Sequence, residues 1–139
     1  MQIKFAIEGG DFATAGCASS QVKKLLKQLN IDPSDIKKIV VALYEAEVNI
    51  VAHAYRGTIT VQIDPQKIII VLDDEGPGIA DINLAMQEGY STATSKVREM
   101  GFGAGMGLSN IKKNSDELNI ESIVGKGTKL TITKFFATS

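Results

Sequence analysis

The side chains best suited to chemistry fall in separated clusters along the chain. Glu45, Asn49 and His53 recur at i, i+4 and i+8, so on a helix they form one polar stripe. A carboxylate and a carboxamide one turn apart suit a hard oxygen-ligand cation such as Mg²⁺, which takes few protein ligands beside phosphate and water. Asp74-Glu75-Gly76-Pro77-Gly78-Ile79 follows an apolar run. Its glycines let the backbone turn sharply and approach a flat ligand, and its aspartate can accept a hydrogen bond from an exocyclic amine such as that of adenine. Gly101-Phe102-Gly103-Ala104-Gly105-Met106-Gly107-Leu108 places glycine at every second position directly before a helical stretch. Consecutive N–H groups are thereby exposed where the helix dipole favours anions such as phosphates. No Gly-Lys-Ser/Thr closes this run, and the spacing of the dinucleotide fingerprint is absent. The His-Arg-Asp and Asp-Phe-Gly sequences of the two-lobed protein kinases are missing as well.

The elements that must position these clusters are legible from periodicity. Ile3, Phe5 and Ile7 alternate with polar residues before Gly9-Gly10, which predicts a half-buried strand and a turn. Val22, Leu25, Leu26 and Leu29 predict a helix over roughly Phe12 to Leu29, with Lys23, Lys24 and Lys27 on its solvated side. Asp32-Pro33 is a helix start, because Asp caps free N–H groups and Pro at the first position gives up no needed donor. From there Ile36, Ile39, Leu43, Ala46 and Ile50 form one buried stripe to about Ala54. Glu47 projects by helical angle toward that stripe, where a partner surface or a gap at the helix edge would accommodate it; a buried unpaired carboxylate would not. A strand opens at Gly57, a central strand is expected over Ile68 to Leu72, and a short helix near Gly107 to Asn114 precedes strands at about Leu118 to Val124 and Thr128 to Phe136, joined by Gly125-Lys126-Gly127.

One-sided alternation in several strands, interleaved with helices, predicts a two-layer α/β (α+β) sandwich with a mixed β-sheet and its helices on one face. The 139 residues fit one domain, 1–139, without repeat or linker. The segment Asp81 to Met100 has weak periodicity, and a loop of that length in a compact domain is expected to be a lid. Lys96 and Arg98 lie in it, either as cations that reach a γ-phosphate on closure or as solvated loop charges. Fifteen basic against sixteen acidic side chains leave a charge of −1, too weak a field to hold nucleic acid or anionic lipid. Neither a signal peptide nor an apolar run long enough to span a bilayer is present, so a cytoplasmic protein is expected. Cys17 is the only cysteine, which excludes an intramolecular disulfide and a cysteine zinc cluster.

Taken in order, Glu45-x-x-x-Asn49-x-x-x-His53, Asp74-x-Gly76-x-Gly78 and Gly103-x-Gly105-x-Gly107 resemble the asparagine box and the two glycine boxes of the GHKL (histidine kinase-like) ATPase superfamily, and Gly125-x-Gly127-Thr128 resembles its fourth element. Tyr44-Glu45-Ala46-Glu47-Val48-Asn49 and Glu75 to Ile82 are similar to the bacterial anti-sigma and switch-protein serine/threonine kinases. Met86-Gln87-Glu88-Gly89-Tyr90-Ser91-Thr92 is similar to the stressosome-type switch kinase in particular.

The resemblance implies ATP and Mg²⁺ as cofactors and, as substrate, a Ser or Thr on a STAS-domain anti-sigma antagonist, in transcription regulation of the stress-response kind. Glu45 matches the general base, Asn49 the Mg²⁺ ligand and Asp74 the adenine-binding aspartate. Gly76, Gly78 and Ile79 match the base-side turn. Gly103, Gly105, Met106, Gly107 and Leu108 match the phosphate-side loop, and Thr128 the hydroxyl that supports the adenine contact. His53 is expected to pack at the helix end rather than to catalyse. The alternatives are a nucleotide-controlled binding module that sequesters a sigma factor or activates a PP2C-type phosphatase, and a detached histidine-kinase ATPase domain. Monomer and homodimer both stay open.

Overall fold

The computed structural model describes residues 1–79, 82, 86 and 107–137. Strand β1 (Gln2–Glu8) leads through a single 3₁₀ turn (Phe12–Thr14) to helix α1 (Cys17–Gln28) and helix α2 (Pro33–His53). Strands β2 (Arg56–Ile63) and β3 (Lys67–Glu75) follow, and helix α3 (Gly107–Lys113) precedes strands β4 (Glu117–Ile123) and β5 (Gly127–Phe135). The strands form one sheet in the order β1-β2-β3-β5-β4.

The expected mixed sheet is antiparallel in every pairing among the described residues. Two helices intervene between β1 and β2, so the chain returns to the end of the sheet it left, and Glu8 lies opposite Arg56. Strand β5 separates β3 from β4, so the crossover through α3 creates no parallel neighbours. The two-layer arrangement stands: Ile59, Val61, Ile68, Ile70, Leu72, Leu130 and Ile132 point to one face and are buried. Helix α1 meets them with Ala18, Val22 and Leu26, and α2 with Ile36, Ile39, Leu43, Ala46 and Ile50. Each buried Val, Leu or Ile among them contributes roughly 1.5–3 kcal/mol, so this layer holds the fold together. No helix among the described residues is long and apolar enough to cross a membrane.

Helix α2 begins where its cap predicts: Asp32 Oδ1 accepts the Ser34 N–H at 2.8 Å, and Pro33 is the first helical residue. The expected continuous helix from Phe12 does not form. Gly16 adopts φ +94°, a left-handed conformation that a right-handed helix cannot pass through, and α1 starts afresh at Cys17. The fresh start leaves orphan N–H groups, and Glu47 takes them. Its carboxylate is fully buried, with Oε2 accepting Gly16 N–H at 3.0 Å and Ala18 N–H at 3.1 Å, and Oε1 accepting Ser19 N–H at 3.1 Å. Neither a partner surface nor a gap is needed for Glu47: the negative group caps the positive end of a neighbouring helix.

A second buried charge fastens the other end of α2. The Lys134 Nζ lies 3.0 Å from Asp116 Oδ2 and 3.5 Å from Asp35 Oδ1. Asp35 Oδ2 also accepts the Ala137 N–H at 2.8 Å, and Asp116 Oδ2 the Phe135 N–H at 2.7 Å. Burial opposes the ammonium charge, but the hydrogen bond and charge of Asp116, joined by Asp35, outweigh it and hold the Lys134 pKa above the ordinary lysine value.

Candidate functional site

On α2 the residues Glu45, Asn49 and His53 are each partly buried on one stripe, as the spacing predicts. Helix α3 crosses that stripe. A Cβ at Gly107 would lie 3.0 Å from Asn49 Nδ2 and 3.1 Å from its Oδ1, so glycine is what lets the start of α3 rest on the carboxamide. One turn on, Asn110 donates from Nδ2 to Glu45 Oε1 at 3.4 Å. Positions 107 and 110 are thus matched to 49 and 45 in antiparallel sense. Sequence reasoning passed over Asn110, although its one-turn offset from Gly107 mirrors the offset of Glu45 from Asn49. Burial pushes the His53 imidazole below its usual pKa, which leaves it neutral near pH 7 at the end of α2.

The second cluster forms where β3 meets the β4–β5 hairpin. Asp74 stands within β3, which runs through Glu75, rather than in the turn after it. Its Oδ1 accepts the Thr128 N–H at 3.0 Å, and Oδ2 forms no hydrogen bond among the described residues. Burial raises the Asp74 pKa above the usual carboxylate value; the Thr128 N–H opposes this and the nearby Asp73 charge adds to it. A half-desolvated acceptor with one committed oxygen is a strong partner for an amine donor.

Ser122, another residue missed by sequence reasoning, ties the cluster together. Its hydroxyl lies 2.9 Å from Thr128 Oγ1 and accepts the Ile79 N–H at 2.7 Å. The turn from Gly76 to Ile79 is clamped further by Gly76 N–H to Lys126 O at 3.0 Å and Gly125 N–H to Pro77 O at 2.9 Å. Gly78 adopts φ +76°, and a Cβ there would sit 2.6 Å from Ile123 O; only glycine satisfies both the turn and the contact.

The structure therefore brings Asp74, Gly76, Gly78, Ile79 and Thr128 into one cluster, and Glu45, Asn49 and Gly107 into another. The Leu108 side chain is buried in the core, so the group it can offer a ligand is its backbone N–H. Lys96, Arg98, Gly103, Gly105, Met106 and the expected lid over 81–100, Ile82 and Met86 apart, lie outside the described residues. Among the described residues no group of His, Cys, Asp and Glu gathers into a metal-binding cluster.

The chain is similar to known proteins over most of its length. The family of the histidine kinase-like ATPase domain matches residues 12–134. An anti-sigma F factor of Thermoanaerobacter pseudethanolicus is 37% identical over 123 residues, covering 85% of this chain and 82% of the relative. The serine/threonine-protein kinase RsbT of Bacillus subtilis is 32% identical over 117 residues, covering 81% of this chain and 82% of the relative. Among solved structures, the RsbU and RsbW domains of a Mycobacterium tuberculosis protein superpose with TM-score 0.68 at 18% identity, over 100% of this chain and 34% of that longer one. A chain of the SiaB–SiaC complex from Pseudomonas aeruginosa superposes with TM-score 0.64 at 13% identity, over 94% and 88%. At such identities the structural neighbours speak for the fold alone.

Proposed function

Because the chain belongs to the histidine kinase-like ATPase domain family, we propose that it is an ATP-dependent protein serine/threonine kinase of a bacterial partner-switching system, acting in the cytoplasm on a STAS-type anti-sigma antagonist. The observation that carries this reading is the placement of Glu45. Its carboxylate stands one helical turn from Asn49, and α3 meets both residues through Gly107 and Asn110. The names of the sequence relatives, an anti-sigma F factor and a serine/threonine-protein kinase, support it.

In this reading Asp74 Oδ2 accepts the adenine amine, with Oδ1 held by the Thr128 N–H and the turn Gly76–Ile79 bordering the base. Thr128 Oγ1, fixed by Ser122, supports that contact. Gly103, Gly105, Met106, Gly107 and Leu108 offer backbone N–H groups to the phosphates, and Lys96 and Arg98 offer cations. Asn49 Oδ1 would serve as a protein ligand for Mg²⁺, an ion that keeps phosphate and water as its other ligands. Mg²⁺, when bound with ATP, neutralises charge on the phosphates. Glu45 accepts the proton of the incoming Ser or Thr hydroxyl as its oxygen attacks the γ-phosphorus and ADP leaves. Asn110 keeps Glu45 Oε1 oriented toward the α3 side.

Incubating the protein with γ-labelled ATP, Mg²⁺ and candidate STAS-domain proteins tests the reading. Transfer of label to a Ser or Thr, lost in Glu45→Gln while nucleotide still binds, is expected. Equal transfer by Glu45→Gln removes Glu45 from the chemistry, and no transfer to any candidate removes the kinase reading. The anti-sigma relatives favour one alternative, a nucleotide-controlled module that holds a sigma factor. Capture of a sigma factor in ATP but not in ADP, without phosphotransfer, would select it.

A further inference from the structure

A groove runs between α1 and the N-terminal half of α2, and none of its lining residues belongs to either cluster of the candidate site. It encloses about 550 Å³, and Ile31, Ile36 and Val40 contribute to its apolar floor while Lys23, Lys27 and Lys37 stand on its rim. That volume is in the range that accepts several side chains at once. The three lysines are exposed and form no ion pair among the described residues. Helix α1 carries no acidic residue at all, in a chain whose charges otherwise nearly cancel. Positive charge is therefore concentrated around a concave apolar strip.

We propose that this groove is a docking site for an acidic amphipathic helix of a protein partner, whose apolar stripe fills the floor and whose flanking carboxylates meet Lys23, Lys27 and Lys37. Concavity selects a helix over a lipid surface, because a groove offers its apolar area only to something that inserts into it, whereas a membrane is met by a protruding apolar face. A second copy of this chain is a poor occupant. The apolar faces of α1 and α2 are already committed to the core, so among the described residues no acidic amphipathic helix is free to donate. The proposal does not depend on the nucleotide reading, since none of the groove residues belongs to either cluster.

The test uses a synthetic helical peptide with Leu at i, i+3, i+4 and i+7 and Glu elsewhere, its Lys-for-Glu counterpart, and anionic vesicles, each titrated against the isotope-labelled full chain by NMR. The expected result is saturable binding of the acidic peptide alone, with amide shifts centred on Ile31, Ile36 and Val40, weakening as salt rises. Reversal of the rim in Lys23→Glu/Lys27→Glu/Lys37→Glu should weaken binding by about tenfold or more. Because these residues are exposed, the variant should keep its Tm, and a second variant, Val40→Ala, checks the floor independently. Absence of saturable binding, equal binding of the basic peptide, shifts mapped elsewhere, a stronger response to vesicles, or self-association through these residues would each overturn the proposal.

Discussion

Glu47 offers the sharpest test of the physical account, because every partner of its carboxylate is a backbone N–H of another helix. Each hydrogen bond to a charged acceptor contributes about 1.5–3 kcal/mol, and Glu47 makes three, at 3.0, 3.1 and 3.1 Å. Their sum overstates the effect, since the same carboxylate is fully buried and its desolvation costs several kcal/mol, roughly half of that gain. Glu47→Ala should therefore lose about 3–4 kcal/mol, with the N–H groups of Gly16, Ala18 and Ser19 left unmatched. For a chain of 139 residues this is a fall in Tm of about 10–15 °C. Glu47→Gln should lose less, about 2 kcal/mol, because the amide oxygen still serves Gly16 and Ala18 while the NH₂ group confronts the Ser19 N–H. Urea unfolding of the three proteins measures these differences, and amide exchange at Ala18 and Ser19 localises them. If Glu47→Ala unfolds within 1 kcal/mol of the wild type, or if those two amides keep their protection, the capping account is wrong.

Asp74→Asn should separate binding from stability. The folded state raises the Asp74 pKa, so this group's stabilising contribution is complete below the ordinary carboxylate pKa and is lost as pH rises through the raised value; at pH 7 the ionised side chain is a net cost. Asn keeps the acceptor for the Thr128 N–H and removes the charge. Its Tm should equal or exceed that of the wild type at neutral pH, the difference vanishing below about pH 4, while affinity for a fluorescent ATP analogue falls about tenfold to a hundredfold. Unchanged affinity would remove Asp74 from base recognition. Lys134→Met should destabilise by about 3–5 kcal/mol, chiefly by leaving the buried Asp35 carboxylate uncompensated, and adding Asp35→Asn should restore part of the loss; if the double variant is no better than the single one, the pair is not coupled. Because the Lys134 pKa is raised, its contribution in the wild type should persist through neutral pH and fade as pH rises past the ordinary lysine range.

Much of this was readable without coordinates. The apolar stripe of α2, its Asp32-Pro33 start and the inward residues of β2 and β3 follow from period and capping chemistry, which are local properties. The boundary of α1 was less legible, because Phe12 to Leu29 is compatible with a helix at nearly every position and only the conformation of Gly16 interrupts it. The partners of Glu47 lie 28 to 31 residues away and are backbone groups, so no pattern of side chains announces them. Asn110 and Ser122 are small polar residues without a motif, given meaning by the register of α3 against α2 and of β4 against β5. Strand order escaped for the same reason: periodicity records which face a residue takes, not which strand lies beside it.

The clamp between the base-side turn and the β4–β5 hairpin bears on how the chain comes to be made. Asp74 and the Thr128 N–H that holds it are 54 residues apart, and the Gly76 and Pro77 contacts likewise wait for Gly125 and Lys126. At about 5–20 residues per second on the ribosome, the base-side pocket remains unbuilt for about 3–10 seconds after its aspartate has been added. During that interval Ile68 to Leu72 present an unpaired apolar edge that nucleotide cannot protect. If a nucleotide binds at this pocket as proposed, it can do so only in chains in which β5 has already joined β3, so its occupancy would report that the sheet has closed.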